Sequence, residues 1–182
     1  MSIEDKPAPN RRDFLYLATG ATGTAGAVFA AWPFVDQMNP TAGVLASSTL
    51  EADLAAIKPG TQAVFKWRGH PLVVRRRTPA EIAAARATPL SALIDRFARN
   101  ASLPEDAPAT DANRTIKPEW LVLIGVCTHL GCSPAAEEHG GWLCRCHGSV
   151  FDTSGRVRTG PAAQNLFVPR YAFVSPTKIR VG

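Results

Sequence analysis

All four cysteines of this chain lie between Cys127 and Cys146, and the first 126 residues contain none. A disulfide framework stapling the whole fold is thereby excluded, because its cysteines would be spread along the chain. The cysteine chemistry is local instead. Two short segments carry it, Cys127-Thr128-His129-Leu130-Gly131-Cys132 and Cys144-Arg145-Cys146-His147-Gly148-Ser149, each with two cysteines and one histidine. Residues 133–143 separate them, so two similar loops can face one another and form a common site.

Six thiol and imidazole groups exceed the four protein ligands of a single centre. Two cysteines and two histidines would suit a tetrahedral zinc ion. The same four types make the mixed set of a [2Fe–2S] cluster in which histidine replaces cysteine on one iron. Either choice leaves two cysteines, which a disulfide between the loops would use. Zinc explains neither the extra pair nor the export of a folded chain argued next. The residues alone leave open which cysteines bind and which pair.

Residues 14–35 contain no charged side chain, and Asp13 and Asp36 bound the run. As a helix, these residues span roughly 33 Å, enough to cross a hydrocarbon core of about 30 Å. Gly20, Gly23 and Gly26 give it a small-residue spacing suited to helix–helix packing. Lys6, Arg11 and Arg12 precede the run, and the first basic residue after it is Lys58. The positive-inside bias then puts residues 1–13 in the cytoplasm and the rest outside. Arg11-Arg12-Asp13-Phe14-Leu15 has the form of a twin-arginine export signal, a route that carries folded proteins. Ala25-Gly26-Ala27 has the small-x-small form of a processing site, but the expectation is an anchor that is retained.

Residues 36–50 show no periodic apolar face and read as a hinge. Residues 51–182 suffice for one compact head, mostly β with a short helical insertion. Ala63–Trp67 and Leu72–Val74 flank a Gly69 turn and predict a hairpin. Thr78-Pro79-Ala80-Glu81 predicts a helix start through a capping box. Thr88-Pro89 predicts a second helix with Leu90, Leu93, Ile94 and Phe97 as its apolar stripe. Residues 101–118 read as loop, residues 120–126 as an apolar strand, and residues 166–168, 171–174 and 178–181 as closing strands. Arg75-Arg76-Arg77 reads as a solvated strand end, and a net charge of +5 without clustered basic and aromatic residues argues against nucleic acid.

The two cysteine–histidine boxes resemble those of the Rieske iron–sulfur subunits of bacterial cytochrome bc1 complexes, the ubiquinol–cytochrome c reductases. Lys117-Pro118-Glu119-Trp120 before the first box, residues 152–161 after the second, the anchor and the hinge extend the resemblance over the whole chain. It implies a Rieske-type antiparallel β-sandwich head, with a cluster-binding subdomain at about 126–168. It further implies one [2Fe–2S] cluster on Cys127, His129, Cys144 and His147, with Cys132 disulfide-bonded to Cys146. In that family a quinol in the cytochrome b subunit hydrogen-bonds a cluster histidine, here His147, and Leu130 packs at the quinol pocket. The head then swings and delivers the electron to a membrane-bound cytochrome c. Two neutral imidazoles in place of thiolates raise the potential, and an imidazole N–H on oxidised iron can lose its proton, so His129 and His147 can couple reduction to proton uptake. The implied setting is a dimeric respiratory oxidoreductase and translocase in the bacterial inner membrane, the head on the periplasmic side.

The chain departs from the family pattern at three places. Arg145 stands where proline is usual in the second box, and Ala163 stands where a second proline is usual in the following loop. Phe151 replaces the tyrosine that donates to a ligand sulfur in relatives, which implies a lower potential, whereas Ser149 matches the family's sulfide-bonding serine. His70 and His139 read as ordinary histidines, Glu137 and Glu138 as a solvated loop, and Trp142 as packing for the loops. An oxygenase component or soluble ferredoxin fits less well, given the short chain after His147, the extra cysteine pair and the anchor. The alternative that keeps the chemistry is a Rieske subunit of an arsenite-oxidase-type or b6f-type enzyme. The insertion after Arg77 and the Lys117–Trp120 lead-in favour the bc1 type.

Overall fold

The computed structural model describes residues 10–46, 48–137 and 140–182. Lys6, Glu138 and His139 lie outside the described residues. The chain divides into an N-terminal unit ending at Leu45 and a head that starts at Ala46.

Helix α1 (Arg11–Asp36) lies in the N-terminal unit, and the short helix α2 (Ala42–Ala46) runs up to the boundary. Asn10 caps α1 by accepting from the N–H groups of Arg12 and Asp13, and the Asp13 carboxylate returns a bond to the Asn10 N–H. The 26 residues of α1 contain Pro33 and have no buried side chain, and the helix is long and apolar enough to cross a membrane. α2 lies within residues 36–50, so that stretch is partly ordered.

The head contains β1 (Leu50–Asp53), β2 (Gln62–Trp67), β3 (His70–Arg76), helix α3 (Pro79–Ala87) and β4 (Trp120–Ile124). Then follow β5 (Ala135–Ala136), β6 (Trp142–Cys144), β7 (Ser149–Phe151), β8 (Val157–Thr159), β9 (Tyr171–Ser175) and β10 (Lys178–Val181). They form three antiparallel sheets, ordered β1-β10-β9, β2-β3-β4 and β5-β6-β7-β8. The predicted hairpin is β2–β3, closed at Arg68-Gly69, with exposed His70 opening β3 opposite Trp67. One core joins the sheets: Leu72, Val74, Leu121 and Leu123 pack with Trp142, Phe151, Val157, Leu166 and Ile179.

Between β3 and β4 lies the insertion. Helix α3 starts as predicted, with Thr78 and Glu81 forming the capping box and Pro79 opening the helix. The second predicted helix is absent. Leu90–Ala92 make only a 3₁₀ turn; Leu93 is buried, while Ile94 and Phe97 are 52% and 44% exposed. The Asp95 carboxylate explains this, because it accepts from the Phe97 N–H and pairs with Arg99. Such local side-chain bonds compete with helical ones.

Two further expectations fail for the same kind of reason. Arg75 and Arg77 are buried, not solvated, at 4% and 2% exposure. Arg75 pairs with Glu81, and Arg77 reaches Asp111 at 2.6 Å and Ser154 at 3.0 Å. Between them the Arg76 guanidinium lies over the Trp120 ring. Residues 166–168 are not a strand, since their N–H and C=O groups serve different segments. Leu166 donates to Gly155, Phe167 accepts from Ile124, and Val168 exchanges bonds with Arg99 and Ala101. Only one parallel bridge, Asn100 with Val168, remains.

Candidate metal centre

The β5–β8 sheet is built from very short strands that carry the two boxes at its end. The first box leaves β4, and the second is the turn joining β6 to β7. Each box closes in the same way. Cys127 C=O accepts from the Gly131 N–H at 2.9 Å, and Cys144 C=O accepts from the Gly148 N–H at 2.9 Å. Both glycines have positive φ, 82° and 77°, a conformation that a side chain would strain. The glycine four residues after the first cysteine of each box is therefore a requirement of the loop. The boxes alone do not mark Gly131 and Gly148 for this role; their backbone angles do.

These turns bring the candidate ligands together. Cys127 and Cys144 are both unpaired and 2% exposed. The His129 and His147 rings meet edge to face with centroids 4.7 Å apart. His129 Nδ1 is buried and has no hydrogen-bond partner, an arrangement costly for a polar atom unless something else occupies it. Burial pushes the Cys127 thiol up, and the neighbouring Cys144 thiol pushes it further, while the His129 N–H and the Ser149 hydroxyl oppose the shift. Cys132 and Cys146 form a disulfide that ties the two loops. The sulfurs of Cys132, Cys144 and Cys146 lie within 4.8 Å of one another, but two of them are bonded together, so this trio is not a ligand set.

The surroundings follow from the short sheet. Ser149 pairs across the ladder with Cys144, and Phe151 pairs with Trp142. Ser149 and Phe151 point to the buried side, at 0% and 1% exposure. Trp142 is buried, and its indole donates to Gln62. Leu130 projects from the first box at 71% exposure, and Arg145 and His147 are exposed on the second. Ala163 is exposed as well, in a loop whose neighbours do touch the boxes. The Ala162 N–H donates to Ser149 Oγ, and Thr128 Oγ1 donates to Gln164 C=O at 2.6 Å. Nothing in the boxes themselves marks Thr128, Gln164 and Ala162 as parts of the site. Their partners are remote in sequence, so only the fold identifies them.

Two facing loops, each with a buried free thiol and an imidazole and joined by a disulfide, define a Rieske-type [2Fe–2S] domain. The profile described as "Rieske [2Fe-2S] domain" matches residues 103–172. That described as "Ubiquitinol-cytochrome C reductase Fe-S subunit TAT signal" matches residues 1–41. The chain is 48% identical to the ubiquinol-cytochrome c reductase iron-sulfur subunit of Rhodobacter capsulatus, with 100% of both chains covered. Against the same subunit of Cereibacter sphaeroides it is 46% identical, again with 100% coverage of both. A chain of a solved hyperthermophilic respiratory Complex III superposes with a TM-score of 0.52 at 25% identity, covering 90% of this chain and 98% of that one. The chain belongs to the family of ubiquinol–cytochrome c reductase iron–sulfur subunits, and its cofactor is a [2Fe–2S] cluster.

Proposed function

We propose that Cys127, His129, Cys144 and His147 hold the cluster, through which electrons pass from a quinol to a cytochrome c. One observation carries this reading: the two unpaired buried thiols are neighbours, the two imidazoles meet edge to face, and His129 Nδ1 lacks any other partner. A cluster so held supplies a one-electron acceptor of raised potential, because two of its ligands are neutral. The chain's own groups do the rest. With one ring nitrogen held by the metal, the outer ring nitrogen of exposed His147 would meet the quinol, taking up a proton when bare and releasing it when protonated. Exposed Leu130, next in sequence to His129, offers an apolar contact for the quinol pocket and helps exclude water. The disulfide keeps the two loops from separating, and the Ser149 hydroxyl would hydrogen-bond a ligand sulfur. Phe151 fills the place of a donor without donating.

The wider assignment follows the family. Residues 14–35 anchor the chain as a single span, residues 1–13 face the cytoplasm, residues 36–50 act as a hinge, and residues 51–182 form a periplasmic head. Its partners are then cytochrome b and a membrane-bound cytochrome c within a dimeric complex. The test is potentiometric titration of membranes carrying the full chain, read by electron paramagnetic resonance. A rhombic reduced-state signal with a positive, pH-dependent potential is expected, and His147→Ala should abolish it. A normal signal in His147→Ala would overturn the ligand assignment, and a low, pH-independent potential would remove the quinol.

A further inference from the structure

Residues 160–166 back both boxes. Through Gln164 the loop holds Thr128, the neighbour of His129, and through the Ala162 N–H it holds Ser149, two residues after His147. What holds the loop itself lies in the insertion. Asn165 is 1% exposed, and its side-chain amide is fully used. Its Nδ2 donates to Asp95 C=O at 3.0 Å and to Phe97 C=O at 2.8 Å, while its Oδ1 accepts from the Val157 N–H at 2.8 Å. Its own N–H donates to Asp95 Oδ2 at 3.0 Å. Asp95 is 5% exposed, and its carboxylate also accepts from the Phe97 N–H and from Arg99. Four bonds thus fasten the loop behind the cluster to segments outside the boxes, three of them to the insertion.

We infer that the Asp95–Asn165 pair is a positioning device for the metal centre, fixing the 160–166 loop so that Ser149 and Thr128 keep their orientation towards the ligands. The inference rests on the ligand set proposed above. With the Ala162 N–H on a lone pair of Ser149 Oγ, the hydroxyl proton stays free for a ligand sulfur. Hydrogen bonds to cluster sulfurs favour the reduced state and so raise the potential. A slack loop lets the hydroxyl turn away, and the electron affinity falls. Neither Asp95 nor Asn165 need touch the cluster to have this effect.

The test is a redox titration by electron paramagnetic resonance on membranes containing the whole complex, with the full chain unaltered or carrying Asp95→Ala, Asn165→Ala or Leu93→Ala. Leu93→Ala removes buried packing from the same insertion but none of the four bonds. Asp95→Ala and Asn165→Ala should each lower the one-electron affinity by about tenfold, which is about 59 mV, with a broadened signal. Leu93→Ala should leave the potential unchanged. Equal potentials in the unaltered chain and both lock variants would overturn the inference, as would an equal shift in Leu93→Ala or loss of the cluster from all three variants. If Asn165→Ala alone loses its cluster, Asp95→Ala decides. Absence of a Rieske signal from the unaltered chain would instead defeat the proposed function.

Discussion

Replacing Asp111 by alanine should destabilise the head by about 3–5 kcal/mol, the usual cost of removing one partner from a buried ion pair. The Asp111 carboxylate accepts from Arg77 Nη1 at 2.6 Å, from Arg77 Nη2 at 3.3 Å and from the Ser154 hydroxyl at 2.5 Å. The Arg77 side chain is 0% exposed, so Asp111→Ala leaves a dry cation with only carbonyls and a hydroxyl for company. Arg86 also reaches Asp111, but it is 57% exposed and adds little. A domain has roughly 5–15 kcal/mol in all, so this loss is a large share. In a head of this size it corresponds to a fall in Tm of roughly 10–20 °C. The assay is thermal unfolding of the cluster-loaded head, from Ala46 onwards, followed by circular dichroism at neutral pH. Replacing both partners, Arg77→Met with Asp111→Leu, should recover more than half of the loss because no lone charge remains. A fall of less than about 3 °C in Asp111→Ala would refute the magnitude. A double variant as unstable as the single one would show that packing, not the uncompensated charge, carries the cost.

Acid should unfold the head through the same groups. Burial alone would raise the Asp95 and Asp111 carboxyls, but Arg99 for Asp95 and Arg77 for Asp111, aided by neighbouring N–H and hydroxyl donors, hold both below their ordinary value of 3.8. Folded values below the unfolded ones mean that the unfolded chain binds protons first. The stabilisation is therefore present above about pH 4 and is lost as pH falls through the depressed folded values, and Asp111→Asn should flatten that acid limb in a pH series of melting curves. Phe151→Tyr should raise the midpoint potential by roughly 40 mV, taking the added donor as worth about 1 kcal/mol more in the reduced state; an unchanged or lower potential would show that the phenyl site cannot present a hydroxyl to sulfur. Removing the bridge between the boxes with Cys132→Ala and Cys146→Ala should cost about 3 kcal/mol for a crosslink of this span, seen as loss of the cluster signal at a lower temperature.

The sequence was most readable where chemistry or periodicity is local. The two boxes announced the metal centre, Thr78 and Glu81 announced α3, and the uncharged run between Asp13 and Asp36 announced the long N-terminal helix. Strands β6, β7 and β8 could not be read, because three residues each are too few to show alternation. The arginines were misread for a different reason. Charge at a strand end ordinarily means solvent, and nothing local to Arg75-Arg76-Arg77 says that Asp111 and Ser154 will fold over it. The apolar spacing of Leu90, Leu93, Ile94 and Phe97 suggested a helix, yet Asp95 sits within it and satisfies the backbone by other means.

The buried polar partners of the arginines and of Asp95 bear on function. Under the proposed function His147 and Leu130 have to be reachable, so their loops are exposed, and the sheet that presents them is too small to hold them by ladder bonds alone. Its support comes from behind, as buried polar bonds from the insertion. Arg114, at 0% exposure, donates to the carbonyls of Ala98, Ser154, Gly155 and Leu166. Burial pushes its guanidinium down to about 9, which still leaves it a cation at neutral pH. Arg156 does the same for Ala85 and Ala109 while paired with Asp152. Apolar packing is non-directional and would let short loops slide, whereas a guanidinium with its donors aimed at fixed carbonyls sets a position. The insertion that interrupts β3 and β4 is thus a rigid backing, and it allows the cluster loops to be exposed and ordered at once.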